Sequence, residues 1–213
     1  MQPTVKANIG KDSPKFYRLI YRIIWAVSPK YTLHGTENLP DESCVLVGNH
    51  CQMYGPIASE LYLERPHYIW CIGEMMNRKE VPAYAFQDFW SMKPKAVRWF
   101  YKLLSHVIAP LAEYVFTNAH TIPVRHDARV MTTFRTSVEK LNAGADIVIF
   151  PERAEAYNGI LWQFQEHFVD LAKLYHRRTG KVVITRASCL TGIVWALAKT
   201  YSASGAITWL SSL

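Results

Sequence analysis

Charge is sparse in this sequence, and long apolar runs are missing. Charged residues fill 19% of the 213 positions and hydrophobic ones 50%. That balance excludes a disordered chain and leaves enough apolar surface for a sizeable core. No stretch of about 18 uncharged apolar residues occurs, since Leu103–Ala112 is closed by Glu113 and Ala187–Ala198 by Lys199. A spanning helix is therefore not expected, while attachment to one leaflet stays open. Met1–Asp12 is polar and lacks the basic-then-apolar layout of a secretory signal. The four cysteines (Cys44, Cys51, Cys71, Cys189) form no CxxC pair and no disulfide-dense spacing, which points to a reducing compartment. Eight histidines are scattered without HExxH or Cys-His ligand spacing, so no metal is expected. No helix-turn-helix, zinc-finger or RNA-recognition signature is present either, and a nucleic-acid partner is not expected.

What is present in excess is positive charge and aromatic surface. Lys and Arg number 24 against 17 acids, giving +7, and aromatics make up 13%. An anionic partner is expected. Ser13–Val27 (SPKFYRLIYRIIWAV) has Phe16, Leu19, Ile20, Ile23, Ile24 and Val27 on one helical face. Lys15, Arg18 and Arg22 share another, with Tyr17, Tyr21 and Trp25 at the boundary. Ser13 is an N-cap candidate, with Pro14 in the first helical position and Pro29 beyond the end. Such a helix either lies in an anionic membrane interface, through Ile20, Ile23 and the three cations, or caps a sheet. Half-immersing its six apolar side chains is worth roughly 5–8 kcal/mol. Arg177, Arg178 and Lys181 are read as a further headgroup contact.

Beyond this helix, strand and helix patterns alternate. Cys44–Gly48, His67–Ile72, Thr121–Val124 and Asp146–Phe150 read as strands. Helices are expected from Pro56 to about Glu64, from about Lys95 to Tyr114 with a break near Pro110, from about Ala128 to Asn142, and over Leu161–Arg178. The alternation predicts an α/β fold, a mixed but largely parallel sheet flanked by helices. In such sheets chemistry collects just past the carboxyl ends of strands. Three blocks stand there: Asn49-His50-Cys51-Gln52-Met53-Tyr54-Gly55-Pro56, Ile122-Pro123-Val124-Arg125, and Phe150-Pro151-Glu152-Arg153.

In order and spacing these blocks resemble the glycerolipid acyltransferase family that includes lysophosphatidic acid acyltransferase, over roughly residues 30 to 180. The resemblance implies a glycerol-3-phosphate acyltransferase-like fold and transfer of a fatty acyl group to the hydroxyl of a lysophospholipid-type acceptor. The donor would be acyl-CoA or acyl carrier protein, with no cofactor or metal, on the cytoplasmic side of a membrane. His50 would be the general base. Asn49 would shape the turn, and Arg125, Pro151, Glu152 and Arg153 would hold the acceptor.

Two departures bear on activity. The family has Asp five residues after its His, and this chain has Gly55. Either another acid (Glu74, Asp88 or Glu152) orients His50, or a backbone carbonyl does so with a slower reaction, or the scaffold binds lipid without turnover. In the third block Arg153, Ala154 and Glu155 replace the family's Gly, Thr and Arg. Residues 1–28 are read as lead and membrane helix, 29–184 as the acyltransferase-like domain, and 185–213 as an atypical tail. Lys181–Ile184 starts like a strand, but no Pro follows, and Leu171–Leu213 carries six basic residues and no acids. That tail is read either as divergent and membrane-leaning, or as truncated or frame-altered.

Overall fold

The structure, a computed structural model, describes residues 14–28, 30–31, 33–48, 54–125, 127, 129–151, 166–188, 198–201 and 207–210. Strands β1 (Cys44–Gly48), β2 (His67–Ile72), β3 (Thr121–Val124), β4 (Asp146–Ile149) and β5 (Ile184–Ser188) are mutually parallel in the order β3-β2-β4-β1-β5. Two antiparallel strands, β6 (Ala198–Tyr201) and β7 (Ile207–Leu210), extend the sheet beyond β5. The fold is thus α/β around a parallel core.

Every residue of β1 and β4 is buried. Alternation divides them between two faces. Val45, Val47, Ile147 and Ile149 pack with Phe134, Val138 and Leu141 of α5 (Val130–Asn142) and with Leu171 and Tyr175 of α6 (Asp170–Thr179). Cys44, Leu46 and Val148 pack on the other face with Leu63, which follows α2 (Tyr54–Tyr62). Thr133 and Ser137, one turn apart on the buried face of α5, give that helix polar anchors. Thr133 donates to the Pro123 carbonyl at 2.6 Å, and Ser137 accepts from the Trp70 indole at 2.9 Å. Gly144 and Gly180, both at positive φ, close α5 and α6 where a side chain would be strained.

The remaining crossover runs from β2 through a 3₁₀ turn (Gly73–Met76), α3 (Val81–Ala85) and α4 (Arg98–Asn118) to β3. The break expected near Pro110 is absent: α4 continues through it for 21 residues. Pro110 is exposed, so water can solvate the carbonyl whose hydrogen bond the missing N–H removes. The first helix, α1 (Lys15–Val27), begins one residue later than Pro14 as first position would require, with Pro14 at the N-cap. Its hydrogen bonds to α2 lie along one edge. The Tyr17 hydroxyl donates to Glu60 at 3.2 Å and the Tyr21 hydroxyl reaches the Leu61 carbonyl at 3.4 Å. Phe16, Leu19, Ile23 and Val27, the face that a sheet-capping helix would bury, are exposed.

At the amino edge of the sheet Asp146 is fully buried. It accepts the Cys44 backbone N–H at 2.8 Å and faces the Arg65 Nε at 3.0 Å. Arg65 also donates to the Pro40 and Glu42 carbonyls, so one guanidinium pins the chain entering β1 to the start of β4. Replacing Asp146 by Ala orphans these donors and is expected to cost about 3–5 kcal/mol. Urea unfolding of the variant measures it. Asp127→Ala, which removes an exposed ion pair with Arg129, should leave the urea midpoint near that of wild type.

Candidate functional site

The strand order turns the separate sequence blocks into neighbours along one rim. In the register Val47 lies beside Ile149, so β1 and β4 end side by side, with Gly48 level with Phe150. Ile72 lies beside Val124, so Glu74 and Arg125 leave β2 and β3 together. Read across the carboxyl edge, the described residues stand in the order Arg125, Glu74 and Pro151, with Gly48 ending the next strand. At about 4.8 Å per strand the row spans about 14 Å. Asn49, His50, Glu152 and Arg153 lie outside the described residues; Pro151 is buried.

The β1–β4 junction is also where the sheet's connections diverge. The chain leaving β1 goes to α2 on one face, and the chain leaving β4 goes to α6 on the other. Adjacent parallel strands with exits to opposite faces leave a crevice between their carboxyl ends. Both blocks named above run out of strands that flank this crevice.

Arg125 is largely buried and pairs with Glu80 at 3.3 Å. Its stem lies across Gly73, where an added Cβ would come within 2.9 Å of the Arg125 Cγ. Glycine at the end of β2 is therefore what lets Arg125 lie flat along the rim. Asn77 donates to Glu80 at 3.0 Å and fixes the partner carboxylate. One of the five guanidinium donors is thus used, in a geometry that restrains the group. Glu74 starts the turn after β2, and its Oε2 is buried with no hydrogen-bond partner among the described residues. Gly55 sits buried in the first turn of α2, so no carboxylate comes from that position.

Asp127 stands just before α5, whose N-cap is Arg129. It accepts the Arg129 backbone N–H at 2.8 Å and holds the Arg129 guanidinium, and these bonds lower its pKa to about 2. Burial pushes the thiols of Cys44 and Cys71 up to about 12, which leaves both protonated and poor nucleophiles. No three potential metal ligands cluster among the described residues. Arg177, Arg178 and Lys181 are exposed at the end of α6, across the sheet from α2, to which α1 is fastened. There they complement the helix's carboxyl terminus rather than extend the basic face of α1.

One polar group at the opposite edge escapes a linear reading. Glu60 of α2 faces the His67 Nε2 at 3.8 Å and the His120 Nδ1 at 3.4 Å, and also accepts the Tyr17 hydroxyl. His67 begins β2 and His120 immediately precedes β3; only the pairing of those strands brings them together. The His67 Nδ1–H donates to the Arg65 carbonyl at 2.8 Å. Burial lowers the His67 pKa below its usual 6.5, outweighing the opposing pull of the Arg65 carbonyl and Glu60. The unfolded chain therefore binds this proton first, and stability falls as pH drops below about 6.5. The melting temperature is expected to decline from about pH 7 to about pH 5, and His67→Asn to remove up to about 1.4 kcal/mol per pH unit of that slope. Equal slopes in wild type and variant would refute the assignment.

No protein-family model, curated protein or solved structure matches this chain.

Proposed function

We propose that the chain is a peripheral membrane O-acyltransferase with a glycerol-3-phosphate acyltransferase-like fold. It moves a fatty acyl group from acyl-CoA or acyl carrier protein to a hydroxyl of a lysophospholipid or related glycerolipid. The observation that carries this reading is the junction of β1 and β4, from whose adjacent carboxyl ends the Asn-His and Pro-Glu-Arg blocks depart at a divergence of the connections. An alcohol is a poor nucleophile at neutral pH. His50 accepts its proton as the oxygen attacks the thioester carbonyl, and the tetrahedral intermediate expels the thiolate, which takes up that proton. Arg125, held on the rim by Glu80, supplies positive charge for an anionic acceptor, together with Arg153. Asn49 shapes the turn that carries His50, while Pro151 and Glu152 form the facing wall.

In the family an orienting acid fixes the imidazole tautomer and stabilises the imidazolium. With Gly55 in the motif position, Glu74 is the described acid best suited to it. It stands on the same rim, two strands from β1, about 10 Å away at the backbone, with a carboxylate oxygen that no described donor satisfies. The exposed apolar face of α1 and its cations Lys15, Arg18 and Arg22 fit an anionic membrane on the cytoplasmic side.

Purified protein assayed with an acyl thioester and a lysophospholipid is expected to form the diacyl product, and His50→Ala to abolish it. Glu74→Gln is expected to lower kcat by about 100-fold or more, towards the four orders of magnitude seen when a serine protease loses its orienting carboxylate. Gly55→Asp should raise the rate. The missing motif carboxylate favours a second reading, a catalytically silent lipid binder on the same scaffold. Vesicle binding without transfer in wild type and in Gly55→Asp would establish that one.

A further inference from the structure

The helix α4 carries an apolar stripe that nothing in the described structure covers. Ser105 and Ala109 mark its buried side. On the opposite side Trp99, Leu103, Val107 and Leu111 recur every four residues, all at least half exposed. Met92, in the turn before the helix, is 93% exposed. These are large side chains at successive turns, unlike the scattered single apolar residues of an ordinary surface.

Two observations say what meets this stripe. The first is charge. From Ser91 to Ala112 the chain has Lys93, Lys95, Arg98 and Lys102 and no acid, and from Pro14 to Thr36 it has Lys15, Arg18, Arg22 and Lys30 and no acid. Glu113, which ends the first of these stretches, is paired with Arg78 at 3.1 Å. The second is continuity. Tyr114 lies on the same side of α4 as Leu103 and Val107, and its ring meets Phe16 of α1 with centroids 5.4 Å apart. Phe16 belongs to the exposed face of α1, so the two uncovered stripes run into one another. An apolar surface edged by tryptophan, tyrosine and cations, with acids excluded from both helices' approaches, matches a lipid headgroup boundary.

We propose that α4 is a second bilayer-contacting element, and that its outward stripe and the apolar face of α1 together seat the protein on an anionic membrane. The stripe from Trp99 to Leu111 runs about 18 Å along α4, which is itself about 30 Å long. The helix extends from the amino edge of the sheet, where α4 hands over to β3, back towards the carboxyl rim, where α4 packs on the turn that carries Glu74. The bilayer would thus reach the Arg125 end of the rim, and a lipid acceptor could enter there without crossing water. The choice of a bilayer as occupant rests on the lipid-substrate reading above. The readout below is binding, so a chain that transfers no acyl group still decides it.

The test uses the full chain and phosphatidylcholine vesicles with and without phosphatidylglycerol. Wild type is expected to co-sediment preferentially with the anionic vesicles. Leu103→Ser/Val107→Ser, both on exposed positions, is expected to weaken that partitioning about tenfold or more, as Ile23→Ser on α1 should also do. Circular dichroism confirms folding of each variant. Vesicles with brominated acyl chains should quench part of the wild-type tryptophan fluorescence, and Trp99→Phe should lose that part while still binding. Wild-type partitioning by the α4 double variant, or unchanged quenching in Trp99→Phe, overturns the proposal. It is equally overturned if sedimentation shows a dimer that Leu103→Ser/Val107→Ser dissolves without affecting vesicle binding, because a second copy would then cover the stripe.

Discussion

A strand buried on both faces tolerates polar side chains only at its ends, and that constraint organises this molecule. β1 and β4 are sealed by Leu63 and Leu39 on one side and by α5 and α6 on the other. Their polar residues are accordingly driven to two edges. At the amino edge Asp146, Arg65, His67, His120 and Glu60 pair with one another or with nearby backbone. At the carboxyl edge Glu74 and Arg125 stand on neighbouring strand ends, with Arg125 held by Glu80. The first set is locked in place by burial. The second is held on rigid strand ends, at the edge where open α/β sheets place their ligands.

Much of the sheet was legible because its signal is local. CVLVG, HYIWCI, TIPV and DIVI are short apolar or β-branched runs, and all four became strands at or within one residue of the expected bounds. The helix that spans Pro110 was read as broken because proline's cost inside a helix depends on whether its orphaned carbonyl reaches water, which the sequence does not state. Strand order was illegible for a related reason. β1 and β4 are separated by about a hundred residues, and no local pattern says that they touch. The Glu60–His67–His120 group depends on one such pairing, β2 with β3, so His120 gave no joint signal with the other two.

The rim shows the same division. That polar blocks follow strands was visible in the sequence; that two of the blocks leave from adjacent strands with exits to opposite faces was not. Gly73 is a case in point. Nothing in its neighbourhood marks it as special, and its φ is ordinary, yet the Arg125 stem lies where its side chain would be. A residue chosen for what it leaves empty carries no signature until its neighbour across the sheet is known.

The helix α1 brings these threads together. Its periodicity was compatible with capping a sheet or lying on a membrane, since both need one apolar face. In the structure Phe16, Leu19, Ile23 and Val27 of that face are exposed. Tyr17 and Tyr21, at the boundary of the apolar stripe, are the buried contacts, and their hydroxyls find partners on α2. Amphipathic tyrosines suit that role, as each buries a ring and still satisfies a polar tip. Attachment by this narrow edge leaves the stripe turned outward beside that of α4. Folding alone gains nothing from keeping nine large side chains of α1 and α4, among them Phe16, Ile23 and Leu103, in water. The proposed bilayer contact would cover them after folding.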